Sequence, residues 1–226
     1  DLPDGFAGKV TEAFKTCRAL WMDVNKLLTK NRIFIDRVRD VGSMPAQEAI
    51  AYGFTGPCLR ASGVPYDVRK AHPYLVYDQL DFEIPVGETG DNFDRYLVRM
   101  EEINQSMRIV EQALAKLPAG PINLDIPGLR WQSKDDTYNR IESLIFHFKT
   151  ITEGVKPPAG EIYSSVEGAN GELGFYLVSD GSGKPVKCRV RPPSFPMTAA
   201  MPRMMRGRLI ADIVPTYDMI NMIGGE

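Results

Sequence analysis

The sequence predicts a mainly α-helical protein of the α+β class, with a bundle of long helices and a small three-stranded antiparallel sheet. Through much of residues 6–152, apolar residues recur in steps of three and four, the period of a helix with one buried face. Over residues 161–191 the pattern changes to alternating apolar and polar residues, the period of a strand. The chain is thereby divided into a helical core at 6–152, an antiparallel meander at 160–191, and a C-terminal helix with a tail at 196–226.

The first helix is predicted over Phe6–Leu28. Its apolar residues fall on a single stripe, so we expect a long helix that faces the core. The stripe consists of Phe6, Val10, Phe14, Cys17, Trp21, Val24 and Leu28.

The next sixty residues are predicted to contain little regular structure. Asn31–Asp40 is interpreted as a charged connection, and Met44–Ala51 as a short helix with a proline at its start. Tyr52–Gly90 is expected to be largely irregular, because its stretch Gly53–Lys70 holds three glycines and two prolines in an order that suits neither a helix nor a strand. Such a long irregular segment in a compact domain indicates a function-bearing or interface segment.

Two further helices are predicted before the sheet. The second long helix covers Asp91–Leu117 and is ended by Pro118, and the third runs from an N-cap at Ser133 through Thr152. The inward-facing residues are Phe93, Leu97, Met100, Met107, Val110, Leu114 and Leu117 in the second helix, and Tyr138, Ile141, Ile145 and Phe148 in the third.

Three strands are predicted, and their connections at Asn170-Gly171 and Asp180–Gly183 give an antiparallel meander. After the sheet, a helix at Met204–Val214 leads into an apolar tail, Pro215–Glu226. The strands are Glu161–Glu167, Glu172–Ser179 and Lys184–Arg191.

Composition excludes several classes of partner. Twenty-seven basic against twenty-nine acidic residues give a net charge of -2 with no long basic cluster, so no nucleic-acid partner is expected. No run approaches the roughly 20 apolar residues that cross a bilayer. The three cysteines lie far apart, which favours a reducing compartment over a disulfide framework. The chain has neither an initiator methionine nor a signal-peptide pattern at its start, and we interpret it as a piece of a longer protein.

The sequence also argues against a metal, nucleotide or serine-type catalytic site. The two histidines, His72 and His147, are in distant segments without a cysteine pair or acidic cluster at ligand spacing, so they are interpreted as structural. Neither neighbours a nucleophile elbow. Gly181–Lys184 lacks the spacing and the following helix of a phosphate-binding loop. We therefore expect no metal ligand here.

Charged residues of the irregular segment and the second helix are candidates for a buried ionisable network. Such networks hold irregular backbone in place and shift pKa values. A second interpretation stays open, in which these residues are structural ion pairs and a solvated helix face. The main candidates are Arg60, Asp67, Arg69, Asp94 and Arg95, with Lys70, Asp91, Arg99, Glu101 and Glu102 as further members.

Several motifs spread along the chain are, taken together, typical of one family. They are Lys30–Arg37, Gly53–Lys70, Asp81–Val86, Gly90–Glu102, Pro157–Glu161, Gly171–Gly181, Cys188–Phe195 and Arg206–Asp212. In them the chain resembles the D subunit of the proton-pumping NADH–quinone oxidoreductases, respiratory complex I, and residues 1–226 are identified as its C-terminal part. The resemblance implies a fold like that of the nickel–iron hydrogenase large subunit. Hydrogenases carry a cysteine pair near the C-terminus, whereas residues 212–226 contain no cysteine, so hydrogenase activity is not expected.

The resemblance implies a peripheral-arm core subunit that forms part of the quinone-binding cavity and couples quinone reduction to ion translocation. Counted without gaps from Asp212, the family's cavity-lining Asp-Ile-Val-Phe-Gly-Glu falls on residues 221–226. Asn221 then replaces a carboxylate, Ile223 replaces valine, and Gly224 replaces an aromatic residue. The quinone-cavity candidates are Asn221, Met222, Ile223 and Gly225, and no catalytic residue is assigned.

The resemblance further implies that this chain binds no cofactor of its own, that quinone is the substrate, and that electrons arrive from an iron–sulfur cluster in a neighbouring subunit. The expected partners are other peripheral-arm subunits, above all the terminal-cluster subunit, and the membrane-arm subunit at the quinone entrance. The expected place is the cytoplasmic face of the cell membrane, or the matrix side of the mitochondrial inner membrane. The chain alone is not expected to be active. Two alternatives stay open: a non-catalytic structural or assembly module of the same lineage, and the equivalent subunit of a complex that uses another electron donor.

Overall fold

A computed structural model describes residues 2–120 and 131–224, and it confirms the predicted fold class. Within the described residues, helices dominate and three strands form one antiparallel sheet in the order β1-β2-β3. The α-helices are α1 Phe6–Leu28, α2 Arg32–Val38, α3 Ala46–Tyr52, α4 Gly56–Ala61, α5 Val68–Ala71, α6 Asn92–Ala115, α7 Lys134–Asn139, α8 Ile141–Glu153, α9 Ser194–Ala199, α10 Met201–Met205 and α11 Ile213–Ile220. Short 3₁₀ helices cover Tyr77–Gln79 and Ile210–Asp212, and the strands are β1 Gly160–Gly168, β2 Gly171–Ser179 and β3 Lys187–Arg191.

The chain divides into two compact units. The larger unit takes in the described parts of residues 3–117, 165–174 and 191–226, and the smaller unit those of residues 1–2, 118–164 and 175–190. Strands β1 and β2 each contribute residues to both units. The turn between them therefore belongs to the larger unit, together with helices α1–α6 and α9–α11.

The core of the larger unit consists of two main apolar clusters. The first joins α3, α4, α9, α10 and α11, and the second joins α2 to α6. Long-range packing of this kind brings the C-terminal helices onto the segment that follows α3. Buried members are Met44, Phe54, Cys58, Leu59, Met197, Met204 and Ile220 in the first cluster, and Val38, Phe93, Tyr96 and Met100 in the second.

Helix α1 has the predicted bounds, but its apolar stripe is half-buried at best, and two of its seven residues are exposed. None of its residues is buried in the described part of the chain. Trp21 and Leu28 pack against the second cluster, and the Trp21 Nε1–H donates to the carbonyl of Met100 at 2.9 Å. Cys17 and Val24 are exposed. The periodicity fixes the helix, whereas burial depends on what packs against it.

Two segments predicted to lack helix are helical. In the supposed connection Asn31–Asp40, the Asn31 side chain accepts backbone hydrogen bonds from Ile33 and Phe34, at 3.0 and 3.2 Å, and so caps α2. The stretch Gly53–Lys70 contains the buried helix α4 and, at its end, the start of α5. Proline in the first turn of α4 is compatible with a helix, because that N–H has no intrahelical partner.

Helix α6 matches the second long helix closely, but its buried face is more polar than predicted. Leu97, Val110 and Leu117 are exposed in this structure, although the period placed them inward. Asn92 and Arg95 are fully buried instead. Polar residues can occupy a core face when tertiary contacts satisfy their hydrogen bonds.

The third helix is two helices. The Ser133 cap is confirmed, since its Oγ accepts from the N–H of Asp136 at 3.0 Å, but the chain leaves helical geometry at Arg140 (φ -126, ψ 123). Helix α8 starts at the next residue. The expected inward stripe is also wrong within the smaller unit, where Tyr138 and Phe148 are exposed.

The three strands are confirmed with shifted ends, whereas the predicted bounds of the last helix, Met204–Val214, are wrong. β3 begins at Lys187 rather than at residue 184. Helix α10 ends at Met205, just before a turn at Gly207 with φ 76, and α11 occupies Ile213–Ile220, where a tail was expected. The packing of α11 explains the difference, because it buries Thr216 and Ile220 against the larger unit's core.

The turn between β1 and β2 approaches α4 so closely that both segments need glycine. A Cβ on Gly56 would lie 2.6 Å from the carbonyl oxygen of Asn170 and 2.6 Å from the nitrogen of Gly171. Gly56 also has φ +64, a conformation that other residues rarely adopt. This contact fixes the turn against the helix that carries Arg60.

We therefore predict that Gly56→Ala strongly destabilises the protein, because overpacking costs about 1–3 kcal/mol and a left-handed conformation a further ~1–2 kcal/mol. Gly8→Ala is the matched control: nothing lies within 4 Å of its added Cβ in helix α1, and we expect it to stabilise by about 0.5–1 kcal/mol. Urea unfolding of the full chain measures both. Equal midpoints for Gly56→Ala and the wild type would contradict the close approach.

Candidate functional site

A buried ion-pair network lies in the larger unit, around Arg60. The Arg60 side chain is 1% exposed, and α4 positions it between three carboxylates. Its Nη1 is 2.9 Å from Glu167 Oε1 and its Nη2 is 2.7 Å from Glu102 Oε1. Asp67 Oδ2 lies 3.5 Å from Nη1. One guanidinium thus links α4 to the α5 cap, α6 and β1.

Asp67 and Arg69 form the second half of the network. The Arg69 Nε donates to Asp67 Oδ1 at 3.0 Å, and its Nη2 donates to Oδ2 at 2.6 Å. Asp67 also accepts from the backbone N–H of Arg69 at 2.9 Å and so caps α5. Arg69 reaches Glu102 Oε2 at 3.4 Å and lies over the ring of Phe82. The bidentate geometry makes this the strongest pair of the network.

The network shifts the pKa values of its carboxylates in opposite directions. Burial alone would raise the pKa of Asp67, but the hydrogen bonds and charge of Arg69, with the charge of Arg60, hold it below its ordinary value. Burial raises the pKa of Glu167, and the neighbouring charge of Asp67 adds to the rise against the opposing effect of Arg60. Although burial opposes it, the bond to Asp67 raises the pKa of Arg69. Of Asp67 and Glu167, Glu167 is therefore the carboxylate whose charge is less stabilised.

Two predicted network members, Asp94 and Arg95, lie in other contacts. Burial alone would raise the pKa of Asp94, but hydrogen bonds from the backbone N–H groups of Thr89 and Glu88 lower it. Arg95 is fully buried, and its Nη2 donates to the carbonyls of Gly42 and Gly90, each at 2.8 Å. Burial lowers the pKa of Arg95. Through these bonds, Asp94 and Arg95 hold the loop that precedes α6 against the first turns of that helix.

The other charged candidates have separate roles in the structure. Asp91 caps α6 and also accepts from the backbone of Asp40 at 2.7 Å. The Lys70 Nζ lies 4.1 Å from the centroid of the Phe82 ring. Glu101 accepts from Gln105 Nε2 at 2.9 Å. Of the further candidates, Glu102 joins the Arg60 network, and Arg99 contacts the C-terminal end of α11.

The tail is held at its first residue by a pair of amides. Asn221 has a left-handed conformation and ends α11. Its Nδ2 donates to Asn170 Oδ1 at 2.7 Å, while the Asn170 Nδ2 donates to the carbonyl of Asn221 at 2.8 Å. Arg99 adds bonds to the carbonyls of Ile220 and Ala169, at 3.4 and 3.3 Å. The β1–β2 turn therefore sets where the tail begins.

Beyond Asn221, the tail lines a cavity of about 250 Å³ together with α9. Ile223 is 48% exposed there, and its N–H lies 3.5 Å from Ser194 Oγ. Met222 packs against the first apolar cluster and anchors the segment. Gly225, also a cavity candidate, lies outside the described residues. The cavity is lined by Pro192, Ser194, Phe195, Thr198, Met222, Ile223 and Gly224.

The described ranges 2–120 and 131–224 contain neither a metal-ligand cluster nor a membrane span. In those ranges no group of three or more His, Cys, Asp or Glu residues is placed to hold a metal ion. Nor does any helix there combine the length and apolar character that a membrane span needs. His147 packs against Trp131, with ring centroids 5.4 Å apart.

Sequence reasoning missed Glu167 and Asn170. Glu167 occupies the last part of a strand whose alternation shows only that it is polar, and Asn170 was recognised as a turn residue alone. The signal for Asn170 was present in part, since Asn-Gly marks a hairpin turn. Its pairing with Asn221 spans 51 positions and is visible only in the fold.

Comparison with known proteins gives a consistent result. The family described as "Respiratory-chain NADH dehydrogenase, 49 Kd subunit" matches residues 1–226. The NADH-quinone oxidoreductase D subunit of Myxococcus xanthus is 53% identical over 226 residues, 100% of this chain and 54% of that protein. The D subunit numbered 1 of Sorangium cellulosum is 54% identical over 209 residues, 92% of this chain and 52% of that protein. The D subunit of Leptospira biflexa is 46% identical over 226 residues, 100% of this chain and 56% of that protein. The chain spans about half the length of the curated relatives it matches.

From the network we predict that replacing a buried arginine lowers the stability of the protein far more than replacing an exposed one. Arg60→Met leaves three carboxylates without their shared partner, and we expect a loss of about 3–5 kcal/mol in the free energy of unfolding. Arg18→Met is the control, since Arg18 pairs with Glu111 at the surface and such a pair contributes at most ~1 kcal/mol. Chemical denaturation compares the two variants. Similar small losses in both would show that Arg60 does not hold the network together.

Proposed function

The chain belongs to the family of the 49 kDa subunit of respiratory-chain NADH dehydrogenase, and from this premise we propose that it is a peripheral-arm core subunit of an NADH–quinone oxidoreductase, a translocase. In this proposal the chain forms part of the quinone-binding cavity. It is a part of the enzyme and has no activity alone. The names of its relatives, which are D subunits of NADH-quinone oxidoreductases, support the assignment.

The observation that carries the proposed role is the cavity beside the tail. Met222 and Ile223 lie at its wall, next to the aromatic side chain of Phe195 and the methyl and hydroxyl groups of Thr198. Ligand sites for small organic molecules combine mostly apolar walls with a few polar groups. An apolar quinone ring would pack on such a wall. Ser194 and Thr198 add hydroxyl groups to the lining, and the Thr198 hydroxyl donates to the carbonyl of Ser194 at 2.9 Å.

The chain's own contribution is to shape and position this wall. Asn170 and Asn221 fix the start of the tail, and Met222 anchors it in the core, so Ile223 is held toward the cavity. Electrons come, in the proposal, from an iron–sulfur cluster in the neighbouring terminal-cluster subunit. Protein groups around a redox reaction tune it through their charge and polarity.

The Arg60 network is the proposed element for coupling quinone reduction to ion translocation. Its five ionisable side chains are packed in a poorly solvated interior, where a change of charge is felt more strongly than in water. Arg60, Asp67 and Arg69 are the predicted members that meet there, joined by Glu102 and Glu167. A quinone that changes charge nearby would act on these groups.

We propose in addition that this chain binds neither metal nor flavin. Its proposed partners are other peripheral-arm subunits, above all the terminal-cluster subunit, and the membrane-arm subunit at the quinone entrance. Its proposed place is the cytoplasmic or matrix face of the energy-converting membrane. The scarcity of histidines and the wide spacing of cysteines support the first point.

Elemental analysis tests the cofactor proposal. We expect the purified chain to contain less than stoichiometric nickel, iron and zinc, and to show no flavin absorbance after denaturation. The assembled enzyme serves as the positive control, because its other subunits carry iron. Stoichiometric metal or flavin in the isolated, folded chain would overturn the proposal.

The cavity is tested by Ile223→Met in the complete enzyme. The substitution replaces a branched side chain by a longer unbranched one and so moves the apolar wall by about the length of a methylene. A change of that size alters ligand fit by about 1–3 kcal/mol, so the apparent quinone affinity or inhibitor sensitivity should change at least severalfold. NADH oxidation by an artificial acceptor that bypasses quinone should stay at the wild-type rate.

Ile210→Met is the matched control, because Ile210 is an exposed isoleucine outside the residues that line the cavity. It should change neither assay. Unchanged quinone kinetics and inhibition in a correctly assembled Ile223→Met enzyme would remove Ile223 from the cavity and leave the tail as packing only.

A further inference from the structure

The Arg60 network carries an imbalance of charge. Two guanidinium groups, Arg60 and Arg69, face three carboxylates, Asp67, Glu102 and Glu167. With every group ionised, the cluster has one negative charge in excess. A buried excess charge is costly, and it is commonly relieved by taking up a proton.

Contacts identify which carboxylate is least compensated. Asp67 has a bidentate guanidinium and a backbone N–H. Glu102 is 16% exposed and lies 2.7 and 3.4 Å from the two arginines, so two cations stabilise its charge, although its buried Oε1 has no well-aligned hydrogen bond. Glu167 is only 3% exposed and receives one guanidinium nitrogen and the N–H of Val68 at 3.2 Å.

Within the described residues, Arg60 is the cation that contacts Glu167 directly, and Arg69 acts on it through its charge without a direct bond. The phenol of Tyr74 accepts from the Glu167 backbone N–H at 3.2 Å, and the phenol of Tyr66 lies 3.3 Å from a carboxylate oxygen of Glu172. Arg191 bonds Thr55 and backbone carbonyls. The ionisable groups around Glu167 are thus Arg60 on α4, Tyr66, Asp67 and Arg69 at α5, Tyr74, Glu102 on α6, and Glu172 on β2.

We propose that Glu167 is a reversible proton-binding site and that its protonation is linked to the position of the tail at residues 221–224. The argument for proton binding uses only the contacts of the network, whereas any effect of this proton on quinone binding rests on the proposed function. The ligand is a proton, and the atoms that receive it are the Glu167 carboxylate oxygens.

The β1–β2 turn connects Glu167 to the tail. Asn170 lies three residues after Glu167, is almost fully buried, and exchanges two hydrogen bonds with Asn221. On its other side the turn is pressed against α4 at Gly56, and the Thr55 hydroxyl accepts from the Glu172 N–H at 3.1 Å. Protonation weakens the charge attraction between Glu167 and Arg60, so the turn can relax, and the tail moves with Asn170.

The direction of the pH effect follows from burial. Burial, with the charge of Asp67, raises the pKa of Glu167 in the folded protein above its ordinary value. The folded state therefore binds the proton more tightly than the unfolded chain, and this contribution to stability is complete at low pH. It is lost as the pH rises through the raised folded pKa.

Carbon-13 NMR of the full chain, labelled at glutamate carboxyl groups, measures this directly without quinone. We expect one glutamate to titrate at a higher pH than the exposed ones and to disappear from the spectrum in Glu167→Gln. Glu142→Gln is the matched control, because Glu142 is exposed on α8 and its loss should leave that titration unchanged. If Glu167→Gln fails to fold, the wild-type spectrum still decides: all glutamates titrating together in the ordinary range would overturn the proposal.

The linkage between Glu167 protonation and the tail is measured in the same samples through the methyl resonance of Ile223. This resonance is assigned by its disappearance in Ile223→Val. We expect this resonance to shift with the midpoint of Glu167 in the wild type and in Glu142→Gln, and to lose that shift in Glu167→Gln. A titrating Glu167 with a stationary Ile223 methyl would overturn the linkage. Failure of the quinone role would instead appear as unchanged kinetics in Ile223→Met, with both titrations intact.

Discussion

In the larger unit, four segments meet at one buried side chain, the guanidinium of Arg60. A guanidinium in the protein interior is tolerated only where carboxylates and hydrogen bonds replace its water. Glu102 on α6, Glu167 on β1 and the α5 cap Asp67 meet this need from positions as far as 107 residues away. The irregular path of the chain between α4 and α6 is therefore fixed by electrostatics more than by its own helix or strand propensity.

The same arrangement organises the C-terminal tail. Once Glu167 is held against Arg60, the turn that follows it is brought to α4, where only glycine fits at positions 56 and 171. Asn170 then faces Asn221, and the pair fixes the residue at which α11 ends. The β1–β2 turn thus connects the buried Arg60 network to the tail residues that line the cavity. In the linkage proposed above, a charge change in the network reaches the tail through these hydrogen bonds.

Periodicity predicted α1, α6 and the three strands because each has a regular pattern over enough residues. It failed where tertiary contacts decide. Asn31 caps a short helix in a segment whose charges suggested a connection, and α11 forms where glycines and an apolar run suggested a tail. Among the site residues, Arg60, Asp67 and Arg69 are close in sequence, and the sequence predicts them together. It does not predict Glu167, because no local pattern shows which distant carboxylate completes a buried network.

Photoaffinity labelling of the complete enzyme with a quinone that carries a photoreactive group tests the central claim, that the tail forms a wall of the quinone cavity. We expect covalent label on peptides containing Ser194–Thr198 or Met222–Gly224, and we expect that label to be lost when excess unlabelled quinone competes. Label found only on other parts of this chain, or label at the tail that unlabelled quinone does not displace, would contradict it.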